Sequence, residues 1–123
     1  MSHLLNAVGQ VDQKMRDCIA ACSQCGPICA ATTEHCLRMG GEHAAADHIR
    51  TLTDCAQACD TSRDFMLRGS ELHPRLCGAC AEACERCAES CERIGGDDQL
   101  MRQCAEICRR CADSCRQVAG PAG

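Results

Sequence analysis

The sequence contains almost no aromatic residues and few aliphatic ones. Among its 123 residues there is no Trp, no Tyr and a single Phe, and Leu, Ile, Val and Phe together account for only 17. A chain with so little large apolar surface is normally disordered, because burial does not offset the conformational entropy lost on folding. The net charge is nevertheless only −4, so charge repulsion does little to oppose a compact state.

Further absences narrow the kind of protein. The first residues lack the basic start, apolar run and small-residue cleavage site of a signal peptide, and no stretch approaches the roughly 18 apolar residues of a membrane-spanning helix. Lys and Arg are interspersed with acidic residues, so the sequence has no nucleic-acid-binding footprint. We therefore expect a cytoplasmic protein that binds neither membranes nor nucleic acids and whose thiols stay reduced.

The abundant residues are Cys, with 16, and Ala, with 18. A free Cys packs like a small hydrophobe, and Ala is the strongest helix former. The Cys form four groups whose consecutive members lie three, four or seven residues apart, which places each group along one face of a helix. No segment has the two-residue period of a strand. In chain order the groups are Cys18, Cys22, Cys25, Cys29 and Cys36; Cys55 and Cys59; Cys77, Cys80, Cys84, Cys87 and Cys91; and Cys104, Cys108, Cys111 and Cys115.

Glycine-containing breaks separate these groups and set the predicted fold. Pro74 suits a first helical turn, and Asp97 or Asp98 suits an N-cap. Because the connections are short, neighbouring helices should run antiparallel. The prediction is an all-α chain, one domain over 1–123, folded as an antiparallel four-helix bundle with a Cys-lined core. The expected helices lie near 12–38, 43–68, 72–94 and 98–118, with a short extra turn at 3–10.

Gly26-Pro27 interrupts the first predicted helix between Cys25 and Cys29. Pro27 has no N–H to donate to the carbonyl of Ser23, so we expect a kink there. Two interpretations stay open: the bundle tolerates the kink, or the kink re-aims one of the two flanking thiols.

A bundle lined with thiols has few chemical uses. Disulfides within a helix are disfavoured, because Cβ atoms at these spacings lie about 5–6 Å apart and a disulfide needs about 3.8 Å. No Cys stands apart from the rest as a catalytic nucleophile, so an enzyme is not expected. One Cu(I) per thiolate gives a neutral core, and soft thiolates select Cu(I). Loading should release protons, since the thiols must ionise to bind. We therefore expect multiple Cu(I) ions per chain.

Zinc and iron–sulfur clusters are the alternatives. C-x-x-C pairs occur, but zinc sites usually place such pairs on turns. Four zinc ions held by sixteen thiolates would also bury a charge of about −8, with no Lys or Arg on the thiol stripes. Ferredoxin-type ligands lie on loops that end in Cys-Pro, a dipeptide absent here. A redox or structural Cys-rich protein is therefore the second interpretation, and thiols that serve only as core residues are the third.

The repeated pattern C-x-x-x-C-x-x-C-x-x-x-C, on a four-helix chain of this length, resembles the bacterial copper storage proteins, and in particular their cytosolic branch. The resemblance covers the chain from about Val11 to Val118. It implies a homotetramer of four-helix bundles, each storing many Cu(I) ions on core Cys. It also implies that copper is admitted at one end of the bundle, where some ligands are not Cys. The copper donor or acceptor protein is not identified by the sequence.

One end of the predicted bundle gathers Cys36, Cys91 and Cys104. His48 lies seven residues before Cys55, about 20° from that stripe, and Met101 lies three before Cys104, about 60° away. Imidazole and thioether both suit Cu(I). We therefore expect the metal ligands to be all sixteen Cys, with His48 and Met101 added at the end that admits copper.

Two other histidines near this end, His35 and His43, lie about 100° and 120° from their stripes. We expect both at the surface, although His43 is close enough to a loop to turn inward. The opposite end carries other candidate groups, which form either an apolar plug or a second metal entrance. These are Met15, Phe65, Met66 and His73.

Overall fold

The computed structural model describes residues 12–120, so the short turn predicted at 3–10 lies outside the described residues. Within that range the chain forms four α-helices and a 3₁₀ turn, with no strand. The predicted all-α four-helix bundle is confirmed. None of the described helices is both long enough and apolar enough to cross a membrane. The elements are α1 (Gln13–Met39), the 3₁₀ turn (Gly41–Ala44), α2 (Ala46–Leu67), α3 (His73–Gly95) and α4 (Gln99–Ala119).

The helix ends follow from local sequence. Asp12 and Asp98 cap α1 and α4, each accepting a hydrogen bond from the backbone N–H three residues later. Pro74 lies in the first turn of α3, as predicted. Gly40 and Gly96 end α1 and α3 with φ of 71° and 53°, a region that favours glycine. The predicted boundaries of these three helices are therefore within about one residue of those observed.

The helices form a closed ring in which α1 packs on α2 and α4, and α3 packs on the same two helices. The helix α1 continues through Pro27 to Met39, so Gly26-Pro27 does not divide it. A Cβ on Gly26 would lie 3.5 Å from the carbonyl oxygen of Ala56 and 2.8 Å from Asp60 Oδ1. Gly26 therefore allows a close approach between α1 and α2 at this level of the bundle.

The interior of the bundle is made of sulfur and small side chains. All sixteen Cys are buried, and Ala81, Ala88, Ala105 and Ala112 fill the space between them. The few large buried side chains include Ile19 and Leu52. Thiols thus occupy the positions that aliphatic residues fill in an ordinary bundle, which explains how so aliphatic-poor a chain folds.

Ion pairs on the outside join α3 to α4. Arg109 binds both carboxylate oxygens of Glu92, at 2.7 and 3.2 Å, and Arg116 pairs with Glu85. These groups are about half exposed, so each pair contributes no more than about 1 kcal/mol to folding. They favour the pairing of α3 with α4 more than they stabilise the fold.

We expect the metal-free, reduced protein to keep its helical far-ultraviolet circular dichroism. The helices are capped, rich in Ala and joined by short loops, so the fold does not depend on metal for its stability. The measurement compares the spectrum before and after treatment with a Cu(I) chelator and a thiol reductant. Loss of the helical signal would contradict this expectation and would place the protein with zinc fingers, in which metal binding supplies the folding free energy.

Candidate metal centre

The buried thiols form a continuous row along the bundle axis. At one end Cys18 and Cys115 have their Sγ atoms 3.5 Å apart. In the middle the Cys25–Cys108 distance is 3.6 Å, and further along Cys29 lies 3.8 Å from the Sγ of Cys104. A disulfide requires about 2.05 Å, so these are free thiols in van der Waals contact, close enough for one ion to bind two or more of them.

Four overlapping groups of thiols bring four sulfurs within 4.8 Å of one another. Neighbouring groups share the sulfurs of Cys25, Cys29, Cys55, Cys59 and Cys108. No more than two of these four groups can therefore each bind an ion with four sulfurs that no other ion shares. The arrangement favours sulfurs that bridge between ions. The groups are Cys22, Cys59, Cys80 and Cys111; Cys25, Cys55, Cys59 and Cys84; Cys25, Cys29, Cys55 and Cys108; and Cys29, Cys87, Cys104 and Cys108.

The electrostatics of the row favour a neutral interior. Hydrogen bonds with neighbouring thiols, first with Cys108, lower the pKa of Cys104, whereas hydrogen bonds with neighbouring thiols, first with Cys104, together with burial raise the pKa of Cys108. The same two causes raise the pKa of Cys77, whose thiol partner is Cys18. No Lys or Arg is buried among residues 12–120, so excess negative charge in the row would have no buried cation to balance it. An ion that brings one positive charge for each proton displaced keeps the interior neutral.

Cys36 lies at the end of the bundle where α1 meets the first turns of α2 and α4, and non-Cys ligand groups surround it. His48 Nε2 and Met101 Sδ each lie 3.4 Å from Cys36 Sγ, and His43 Nδ1 lies 3.7 Å away. The structure thus brings the two predicted non-Cys ligands together on one thiol. We call Cys36, His43, His48 and Met101 the mouth cluster.

Burial sets the protonation of Cys36 and His48 in the mouth cluster. It raises the pKa of Cys36 to about 11, with smaller contributions from the negative charge of Asp98 and of neighbouring thiols. It also lowers the pKa of His48, an effect to which the nearby His43 adds. At neutral pH the cluster therefore offers a neutral imidazole, a thioether and a protonated thiol. This donor set suits a soft monovalent ion.

His35 and His43 are both partly exposed, and His43 turns inward, which was the alternative left open for it. The predicted second helix began at 43, whereas α2 begins at Ala46 and residues 41–44 form the 3₁₀ turn. Gly40 and Gly41 have φ of 71° and 57°, which turns the chain back over the bundle end. His43 is therefore outside the helical register of α2 and reaches Cys36.

His35 and Asp98 form an outer layer above the mouth cluster. His35 Nε2 lies 2.6 Å from Asp98 Oδ2, and its ring meets that of His43 edge-on with centroids 6.2 Å apart. Burial opposes ionisation of Asp98, but hydrogen bonds from His35 and from the N–H of Met101 lower its pKa. Asp98 thus ties α1 to the start of α4 and to the residue that carries the thioether.

Sequence reasoning missed Ser90 and the second role of Asp98. Ser90 Oγ lies 2.7 Å from His48 Nδ1, across the interface between α2 and α3. The sequence offered Asp97 or Asp98 as the N-cap of α4, but it did not identify Asp98 as the partner of His35 on α1. Ser90 lies one residue before Cys91 on α3, a helix that carries one of the four groups of Cys. That position is the one sequence signal that could have suggested a buried hydroxyl.

The opposite end of the bundle is built from larger apolar groups. Met66 is fully buried, and Met15 and Phe65 are partly buried. The guanidinium of Arg68 lies 4.7 Å from the centroid of the Phe65 ring. His73 Nδ1 is buried and has no hydrogen-bond partner among the described residues. The apolar side chains fit the interpretation of this end as an apolar plug, whereas the unpartnered His73 nitrogen fits a second metal entrance, so both interpretations stay open.

We expect Gly95→Ala to destabilise the reduced apo protein by about 1–3 kcal/mol, because a Cβ at this position would lie 2.7 Å from the Cβ of Met101. Gly78→Ala is the matched control on the same helix. Among residues 12–120 its Cβ would meet only Ala119, at an ordinary 3.8 Å, so we expect a gain of about 0.5–1 kcal/mol. Urea unfolding measures both changes. Equal effects on the free energy of unfolding would contradict the close contact between Gly95 and Met101.

Comparison with known proteins identifies a protein family and several solved structures that resemble this chain. A family model described as copper storage protein matches residues 11–120. The solved Nmul_A1745 protein from Nitrosospira multiformis is 46% identical with a TM-score of 0.82, over 88% of this chain and 96% of that one. Cu(I)-bound copper storage protein BsCsp3 is 30% identical with a TM-score of 0.80, over 88% of this chain and all of that one.

A third solved structure extends the match along the chain. Copper storage protein Ccsp from Streptomyces lividans, loaded with 10 copper equivalents, is 29% identical with a TM-score of 0.81. The alignment covers 95% of this chain and 96% of that one. No similar protein was found among curated proteins.

Proposed function

The chain belongs to the copper storage protein family, and from that premise we propose that it stores many Cu(I) ions on the thiolates of its core. The observation that carries the proposal is the continuous row of buried sulfurs, with neighbouring Sγ atoms 3.5 to 4.0 Å apart. Thiolate sulfur is a soft ligand that Cu(I) prefers, and a sulfur can bridge two ions. A row of shared sulfurs suits the bulk holding of ions rather than the binding of one.

We propose all sixteen Cys as ligands, with His48 and Met101 completing the set at the mouth cluster. Each thiolate formed neutralises one Cu(I), so the loaded interior carries little net charge. The raised pKa of Cys36, caused by burial, means that loading at neutral pH displaces a proton from this thiol. Proton release should therefore accompany copper uptake.

Zinc is the one alternative that a specific observation favours. Tetrahedral Zn–S bonds of about 2.3 Å place sulfurs about 3.8 Å apart, which fits the four-thiol groups. Their shared members and the absence of buried cations among the described residues both weigh against it. Each closed zinc site with four thiolates would add a charge of about −2 to the interior.

We further propose that the protein acts in the cytoplasm as a buffer and store, without catalysis, and as a single domain over 1–123. A cytosolic copper storage protein from Streptomyces lividans is among the similar solved structures. All sixteen thiols are buried, so none is exposed as a nucleophile.

We propose that the protein forms a homotetramer, because the family it resembles implies one. Light scattering after size-exclusion chromatography would measure the oligomeric state.

An anaerobic titration of the reduced apo protein with Cu(I), against a competing chelator, tests the proposed function. We expect a tight endpoint near one copper per thiol, about sixteen per chain. An endpoint of one or two ions, or a preference for zinc over Cu(I), would contradict storage. A visible charge-transfer spectrum in the purified protein would instead point to an iron–sulfur cluster.

A further inference from the structure

The hydrogen bond between His48 and Ser90 lies on the side of the imidazole away from Cys36. Its Nδ1–Oγ distance is 2.7 Å, while Nε2 lies 3.4 Å from Cys36 Sγ. A neutral imidazole carries one N–H, so the nitrogen that holds it determines what the other can do. For Nε2 to offer its lone pair to a Cu(I) ion, the hydrogen must be on Nδ1, and the partner of Nδ1 is Ser90.

Ser90 differs from most of the hydroxyl residues in these helices. The usual bond of a helical Ser or Thr goes to the carbonyl four residues earlier. Ser90 Oγ instead reaches from α3 to α2. His48 is 1% exposed, so water does not readily replace this partner. The residues that make the usual bond are Ser23, Thr32, Thr33, Thr51 and Thr53.

A Ser hydroxyl can donate or accept a hydrogen bond. We infer that Ser90 is a positioning residue for copper uptake, in which its Oγ accepts a hydrogen bond from His48 Nδ1–H and so leaves Nε2 unprotonated toward Cys36. Partners of this kind fix the tautomer and ring orientation of metal-binding histidines, and their loss typically weakens metal binding by about 10- to 100-fold. The copper part of the inference rests on the proposed function. The tautomer is a property of the metal-free chain.

The first test measures the His48 tautomer in the reduced apo protein by long-range proton–nitrogen NMR. We expect the hydrogen on Nδ1 in the wild-type protein. Ser90→Ala should move it wholly or partly to Nε2, whereas Ser90→Thr keeps the hydroxyl and should keep the wild-type tautomer. A wild-type His48 protonated on Nε2, or a tautomer that Ser90→Ala leaves unchanged, would overturn the inference.

The second test measures the initial rate of Cu(I) loading. We expect Ser90→Ala to slow it by about tenfold, Ser90→Thr to restore it, and Ser90→Ala to add nothing in a chain that already carries His48→Ala. Ser62→Ala is the matched control, since it removes another buried hydroxyl between α2 and α3, bonded at 3.0 Å to the carbonyl of Leu76. It should load at the wild-type rate. Equal slowing by Ser90→Ala with and without His48 would overturn the inference.

The copper endpoint separates this inference from the proposed function. If the wild-type chain binds only a few Cu(I) ions but Ser90→Ala still changes the His48 tautomer, the proposed storage function is refuted and the hydrogen-bond assignment stands. If the chain binds its full complement of Cu(I) but Ser90→Ala changes neither the His48 tautomer nor the loading rate, the storage function stands and the positioning role of Ser90 is refuted.

Discussion

Replacing Cys25 and Cys108 together with Ser is expected to lower the Cu(I) capacity by about four ions or more, well beyond the two thiols removed. Both sulfurs lie in the middle of the row. Cys25 Sγ is within 4.0 Å of the sulfurs of Cys29, Cys55, Cys84 and Cys108. If sulfurs bridge ions, removing a shared sulfur deprives several ions of a ligand at once. The anaerobic titration against a chelator measures the endpoint.

The double variant of Cys77 and Cys91 is the matched control, since it removes the same number of thiols from the edge of the row. Hydrogen bonding with Cys18 raises the pKa of Cys77, and hydrogen bonding with Cys104 and Cys87 raises the pKa of Cys91. We expect this variant to lose about two ions. A buried Ser hydroxyl can bond to the carbonyl four residues earlier, so both variants should stay helical. Equal losses in the two variants would mean that each thiol binds its ion independently.

The fold could be predicted because one signal, the three-and-four spacing of Cys, specifies both the helices and the face that each buries. The glycine breaks gave the ends of α1, α3 and α4 within about a residue. The start of α2 could not be obtained in this way. Ala44, Ala45 and Ala46 are all good helix formers, and only the backbone of Gly40 and Gly41 decides that residues 41–44 form a 3₁₀ turn instead.

The candidate site was predictable where helical register determines it. His48 and Met101 lie near their Cys stripes, so an angle on a helix was enough to place them beside the row. His43 needed the path of a loop, and the bond between Asp98 and His35 joins residues 63 positions apart on different helices. Such contacts depend on how far one helix is shifted along another. A pattern within a single helix carries no information about that shift.

The proposed function assigns two chemical tasks to different parts of the bundle. The middle of the row offers sulfur alone, with no buried Lys or Arg among residues 12–120, and is suited to holding ions. The mouth cluster mixes imidazole, thioether and thiol. Neutral nitrogen and thioether ligands bind Cu(I) without losing a proton, so an ion can be captured there before a thiol has ionised.

His48→Ala is accordingly expected to slow Cu(I) loading by about tenfold or more, while the endpoint falls by about one ion at most. The imidazole lies beside Cys36, and burial keeps its pKa below the usual value so that it is neutral. Its removal takes away a capture ligand but leaves all sixteen thiols. Anaerobic stopped-flow absorbance of the Cu(I)–thiolate bands measures the rate, and the chelator titration measures the endpoint.

His73→Ala is the matched control at the opposite end of the bundle, where Met66 is buried and Phe65 is partly buried. It should load at the wild-type rate, because copper approaching the mouth cluster does not pass His73. An unchanged rate with a lower endpoint for His48→Ala would make His48 a storage ligand rather than a capture ligand. If His73→Ala slowed loading and His48→Ala did not, copper would enter at the His73 end of the bundle rather than at the mouth cluster.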